Sequence, residues 1–219
     1  MPTYSDALEQ YSRDLFARED EILQTIRSRI IENGLPQITV QPEEGRFLQF
    51  ITAAAGVHKA LEIGTLGGYS GTWIARGLAP GGTLITLEQE PDRADLAREH
   101  FKLAGLAEKV SVRVGNAHEM LPDLSREGPF DLIFIDAEKE GYVRYLEWAL
   151  DHLSPGGLVA GHNAFSHGDI VDPAAQSERL HVLREFNQRL AGDPRLVSLI
   201  YPAGDGLAIG WLRHEAVSA

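Results

Sequence analysis

The 219-residue chain has no cysteine. That absence excludes disulfide frameworks, thiolate zinc sites, iron–sulfur clusters and cysteine nucleophiles. Long hydrophobic runs are also missing. Stretches such as Leu132–Ile135 fall far short of the ~20 apolar residues that a membrane-spanning helix needs. Residues 1–20 carry Asp6, Glu9, Arg13, Asp14, Arg18, Glu19 and Asp20, where an export signal would need an unbroken apolar core. The cytoplasm is therefore the expected location. Positive charge is scarce: 20 Lys and Arg face 32 Asp and Glu, a formal net charge of −12. A field of that sign repels phosphate backbones and anionic lipid, which argues against nucleic acid or a membrane as the main partner.

What remains is an ordinary globular composition, 43% hydrophobic and 24% charged. The length suits one α/β domain, 1–219, with a helical extension over 1–35 and a core over 36–213. Apolar residues at helical spacing predict a helix over 4–33, with Leu8, Tyr11, Leu15 and Phe16 in its first half. Asn33-Gly34 and Pro36 end it, and Pro42 opens the next helix. Strands then alternate with helices. Strands are predicted at 59–63, 83–87, 110–114, 130–135 and 157–160, and helices at 69–78, 91–104, 140–153 and 173–190. This alternation implies a mostly parallel sheet with helices on both faces. A final pair, 196–201 and 206–211, is joined by Pro202–Asp205. That link is too short for a parallel crossover, so the pair must be antiparallel.

The first strand ends in Glu62-Ile63-Gly64-Thr65-Leu66-Gly67-Gly68-Tyr69-Ser70. Glycine there permits positive φ and close backbone approach by a ligand, and the next helix begins with partial positive charge. A pyrophosphate fingerprint reads G-x-G-x-x-G. Here Thr65 and Leu66 separate Gly64 from Gly67, so that spacing fails. The second strand ends in Glu88, a carboxylate able to accept both hydroxyls of a ribose. Alone, the glycines fit a tight strand–helix turn and Glu88 a solvated strand end; their spacing together favours a cosubstrate site. This E-x-G-x-x-x-G form resembles class I S-adenosylmethionine methyltransferases. The resemblance implies a Rossmann-like seven-stranded sheet with an antiparallel last strand. Glu62, Gly64, Thr65, Gly68, Tyr69, Ser70, Glu88 and Asp136 would then line the donor, with Ala117 over the adenine.

The strand Phe130–Ile135 delivers Asp136 to its carboxyl end, Lys139 follows, and the next strand ends in His162-Asn163. Neighbouring strands lie about 4.8 Å apart, so Asp136 and the His162-Asn163 pair can converge if the chain turns at His162. Asp136-Ala137-Glu138-Lys139, with Pro42-Glu43-Glu44-Gly45, Glu62-Ile63-Gly64-Thr65, Gly68-Tyr69-Ser70, Pro155-Gly156-Gly157, His167-Gly168, Asp172-Pro173, Arg184-Glu185-Phe186-Asn187 and Gly204-Asp205-Gly206-Leu207, resembles the cation-dependent O-methyltransferases of the catechol and caffeoyl-CoA type, particularly small bacterial members. The match covers about residues 36–212.

That resemblance implies methyl transfer from S-adenosylmethionine to a phenolic or catechol hydroxyl of a small aromatic acceptor, with S-adenosylhomocysteine released. It further implies a divalent cation held by Asp136, His162 and Asn163, with Lys139 and Asp136 as catalytic groups. The N-terminal helices, apolar yet outside the sheet motif, are expected to cover the acceptor pocket or the face of a homodimer. His162 stands where the family has a second Asp. An imidazole suits Mn²⁺, Fe²⁺, Co²⁺ or Zn²⁺ better than Mg²⁺. Ser166 likewise stands where the family tends to have Trp. Read as residues alone, Lys139 is also a surface helix lysine and His162 a hydrogen-bonded loop histidine. Glu43-Glu44 reads as a charged helix start, and Tyr142 and Tyr145 as helix packing. Three rival functions stand beside this one: a metal-independent O-methyltransferase with His162 as base, a methyltransferase for hydroxylated uridine in transfer RNA, and a dinucleotide-dependent reductase.

Overall fold

The computed structural model describes residues 6–214. Three helices come first: α1 (Asp6–Phe16), α2 (Glu21–Glu32) and α3 (Pro42–Ala54). Strand and helix then alternate through β1 (Lys59–Ile63), α4 (Tyr69–Gly77), β2 (Thr83–Glu88), α5 (Pro91–Leu103), β3 (Val110–Val114), α6 (Ala117–Leu124), β4 (Phe130–Ile135), α7 (Tyr142–His152) and β5 (Leu153–His162). The chain closes with α8 (Glu178–Gly192), β6 (Leu196–Tyr201) and β7 (Leu207–Leu212), and short 3₁₀ turns cover Lys139–Gly141 and Ser166–Val171.

The seven strands form one sheet in the order β3-β2-β1-β4-β5-β7-β6. All pairs from β3 to β5 are parallel, and β7 runs antiparallel to both neighbours. This is the mostly parallel sheet with an antiparallel last strand read from the sequence. Period-two alternation divides β4 between two cores. Leu132 and Phe134 face Ile26, Ile30, Leu48 and Trp73 of α2, α3 and α4. Ile133 and Ile135 face Tyr142, Leu146, Leu183 and Phe186 of α7 and α8. With both faces covered, a near-continuous apolar strand is what burial demands.

Several boundaries differ from the sequence reading. The first long helix is two: Asp20 caps α2 by accepting from Leu23 N at 3.0 Å, which ends any continuation from α1. Residues 4 and 5 of that predicted helix lie outside the described residues. Leu8, Tyr11, Leu15 and Phe16 are exposed. α6 was not foreseen; its eight residues include Pro122, which reads as a breaker. β5 starts at Leu153 and carries Pro155-Gly156-Gly157 through a register shift opposite Phe130–Leu132. α8 starts only after Ser177, which caps Leu180 N at 3.2 Å. Among the described residues no helix is long and apolar enough to cross a membrane.

From β1 the chain works outward to β2 and β3, then returns to β4 on β1's other side. That reversal makes the carboxyl ends of β1 and β4 the place where such sheets open a crevice. There Asp136 N donates to Ile63 O at 2.8 Å, and Gly64 sits at φ +100°. A Cβ on Gly64 would overlap the Asp136 carbonyl oxygen. Gly64→Ala is therefore expected to cost at least about 2 kcal/mol through strain and overlap. For a chain of this size that is a drop of about 4–8 °C in Tm, read by calorimetry.

Candidate active site

A single crevice of about 650 Å³ runs across the tips of β1, β2, β4 and β5. One end is walled by Leu66, Glu88, Glu90 and Ala117, the other by Asp136, Lys139, His162 and Asn163. Thr65, Tyr69 and Ser70 line the middle, and the segment Gln37–Gln41 before α3 forms the outer wall.

At the first end the Glu88 carboxylate, 6% exposed, accepts Leu66 N at 2.7 Å and Glu90 N at 3.0 Å. Each oxygen keeps a second lone pair for a ligand. Behind this wall lies a buried polar chain. Ser70 Oγ donates to Glu62 Oε1 and Thr86 Oγ1 to Glu62 Oε2, both at 2.6 Å. Thr86 has then spent its one hydrogen, so Thr65 donates to it, at 2.5 Å. Burial pushes the Glu62 carboxyl up to about 7, against the two hydroxyls that favour its charged form. Gly71 must be glycine here, because a Cβ would press on Glu62 Oε2.

At the other end Asp136 accepts from Lys139 Nζ at 3.1 Å through Oδ1 and from His162 Nδ1 at 3.2 Å through Oδ2. Burial would raise this carboxyl, but His162 and Lys139 outweigh it and hold the group well below the usual carboxylate range. Lys139, 9% exposed, also reaches Tyr142 Oη at 2.5 Å. The far side of the His162 ring meets Glu44: Nε2 and Glu44 Oε1 lie 3.2 Å apart. Burial opposes charge on His162, yet Asp136 and Glu44 raise it to about 10.

A profile of the O-methyltransferase family matches residues 12–212. The chain belongs to the O-methyltransferase family. It is 38% identical over 190 residues to a catechol O-methyltransferase of Niastella koreensis, covering 86% of each chain. It is 32% identical over 217 residues to caffeoyl-CoA O-methyltransferase 1 of Zea mays, covering 94% of this chain and 84% of that one. The fold matches the Bacillus cereus O-methyltransferase solved with SAH, with a TM-score of 0.88 at 36% identity over 94% of this chain and 97% of that one.

Within this O-methyltransferase the sequence-predicted residues gather as follows. Gly64, Thr65, Tyr69, Ser70, Glu88, Ala117, Asp136, Lys139, His162 and Asn163 share one crevice wall. Glu62, fully buried, and Gly68 stand behind that wall. Glu62 is a brace between β1, β2 and the start of α4. Gly68 takes φ +77° at the α4 N-terminus and packs on Phe101. The turn that converges the tips comes at Asn163, φ +60°, one residue later than the sequence reading placed it.

Sequence reasoning missed Glu44. It closes a capping box on α3, accepting Gln41 N at 2.7 Å, while its other oxygen faces His162. The Q-x-x-E spacing was the available signal. It also missed Glu138, which accepts from Tyr145 Oη at 2.5 Å and pairs with His118 Nε2 at 3.1 Å, tying the 136–141 loop to α6.

The implied divalent-ion ligands do not fit an ion as they stand. Both His162 nitrogens face carboxylates, Nδ1 on Asp136 and Nε2 on Glu44, so the ring turns no free lone pair toward an ion. No group of three His, Asp or Glu among the described residues is arranged to hold a metal.

The Glu62 brace has a measurable pH signature. Its folded value, about 7, lies above the unfolded 4.5. Its contribution to stability is therefore complete below about pH 4.5 and lost as pH rises through about 7. Glu62→Gln removes that dependence. The stability of Glu62→Gln relative to wild type should climb across this window by on the order of 3 kcal/mol, then level off. Urea unfolding at a series of pH values measures it, and a constant difference would refute the assignment.

Proposed function

We propose that the enzyme transfers the sulfonium methyl of S-adenosylmethionine to a phenolic hydroxyl of a small catechol-type acceptor. The observation that carries this reading is the one crevice joining Glu88 to Lys139. The relatives' names and the SAH bound in the Bacillus cereus structure support the same donor and acceptor class. Glu88 takes the ribose hydroxyls, and the backbone from Gly64 to Ser70 holds the donor's amino-acid end at the start of α4. The sulfonium then lies near the tips of β1 and β4.

A phenol ionises near pH 10, so its nucleophilic form is scarce at neutrality. Lys139, paired with Asp136 and hydrogen-bonded to Tyr142, stands beside the acceptor oxygen and stabilises the phenolate as its proton leaves to solvent. The oxygen lone pair forms the new bond to the methyl carbon as the carbon–sulfur bond breaks. Sulfur keeps that electron pair and leaves as neutral S-adenosylhomocysteine. Holding oxygen, carbon and sulfur in line supplies the larger share of the acceleration.

Lys139→Ala is expected to lower kcat by about 10²–10³-fold, with S-adenosylmethionine affinity within a few-fold of wild type. Glu88→Ala should show the opposite split, losing donor affinity by calorimetry first. Equal donor binding in Glu88→Ala would remove the ribose role. The exposed Leu8, Tyr11, Leu15 and Phe16 of α1 support the homodimer expected from the apolar N-terminal helices. Light scattering should give twice the 24.1 kDa chain mass, and a single-chain mass would refute it.

A further inference from the structure

We infer that His162, clamped between Asp136 and Glu44, is a built-in cation that fills the role of a divalent ion, and that Glu44 is the residue that positions it. The inference rests on the methyl-transfer reading. His162 is 4% exposed at the tip of β5. Its Nδ1 meets Asp136 Oδ2 and its Nε2 meets Glu44 Oε1, each at 3.2 Å. Nε2 and Glu44 Oε1 are both fully buried, and neither has a hydrogen-bond partner among the described residues, so their 3.2 Å approach is ionic. A bare ring nitrogen there would set its lone pair against a buried carboxylate, whereas a protonated one sets opposite charges together. Two carboxylates on two ring nitrogens require two N–H donors, and that is an imidazolium.

Such a ring has no lone pair to offer a metal, and none with which to act as a base. The charge of Asp136 is already offset, by the ring on one oxygen and Lys139 on the other. Glu44 is held from behind by the Gln41 amide and by Gly204, where a Cβ would overlap the carboxylate. The clamp is thus braced on both sides. Against the family's second Asp, an imidazolium at this position changes the side-chain charge by two positive units, the charge a divalent ion would bring. The crevice keeps its electrostatic balance with no ion.

The test uses the full-length enzyme and MnCl₂. Calorimetry should detect no stoichiometric Mn²⁺ binding, and EDTA should leave methylation of a catechol within twofold. Nitrogen-15 NMR, with the His162 signal assigned through His162→Gln, should show both ring nitrogens protonated at pH 7. Glu44→Gln, which keeps the helix cap, should lower kcat about tenfold with donor KM unchanged and remove one ring N–H signal. His162→Asp should gain a Mn²⁺ site and turnover that depends on it. One Mn²⁺ bound per wild-type chain, a tenfold or greater loss of turnover in EDTA restored by Mn²⁺, or a bare ring nitrogen would each overturn the inference. Donor binding without methylation of any catechol, with or without Mn²⁺, would sink the proposed function instead. The Mn²⁺ titration and the ring spectrum would still decide the role of His162.

Discussion

The site depends on one backbone contact, the hydrogen bond from Asp136 N to Ile63 O at the tips of β1 and β4. It forms because the sheet reverses its strand order between those two strands, leaving no helix to fill the space above them. The bond brings the chain of Gly64 against the carbonyl of Asp136, which excludes any side chain at position 64. Everything chemical is then placed relative to that contact. The glycine loop and Glu88 fall on one side, and Asp136, Lys139 and His162 on the other. Without the contact the molecule would hold two half-sites that share no crevice.

The crevice is also built from outside the sheet. Glu19, at the α1–α2 turn, accepts from Tyr69 Oη at 2.8 Å, and Arg13 makes a bidentate pair with Glu43 at 2.9 Å on each arm. Ile30 of α2 packs so closely on Gly67 that a Cβ there would collide. Through these contacts the N-terminal helices fix the start of α4, which edges the donor end. They fix the start of α3 as well, where Glu44 stands. Residues 6–35 thus shape both ends of the site, although none of them carries chemistry. The overall charge of −12 says little about this interior, where carboxylates and cations alternate within about one hydrogen-bond length of each other.

Most of the sheet was legible because burial on both faces writes continuous apolar runs, and 130–135 is the clearest. Asp136 and Lys139 were legible because they follow that run at once. What stayed hidden has local causes. The break between α1 and α2 turns on Asp20 capping Leu23, one hydrogen bond inside a stretch of helical periodicity. α6 hides behind Pro122 in a helix of eight residues. Tyr142 and Tyr145 read as packing and do pack, yet their hydroxyls serve Lys139 and Glu138. Glu44 is the most instructive case. Its acidic neighbour and its place in a helix's first turn explain it fully by local rules, and only the fold brings it to a histidine more than a hundred positions away.

A histidine clamped by two carboxylates acts differently from a chelating ion. It cannot bind two oxygens of an acceptor, because its two ring nitrogens face Asp136 and Glu44. It works through its field alone. At an effective dielectric of about 20, an isolated unit charge some 4 Å from a developing anion is worth on the order of 4 kcal/mol, and the two carboxylates that hold the ring offset part of that. The field favours a phenolate wherever it forms near the ring. Selection between hydroxyls of an acceptor therefore falls to the walls of the crevice, to Lys139 on one side and the Gln37–Gln41 segment on the other. In such a site the cation lowers the barrier, and shape chooses the oxygen.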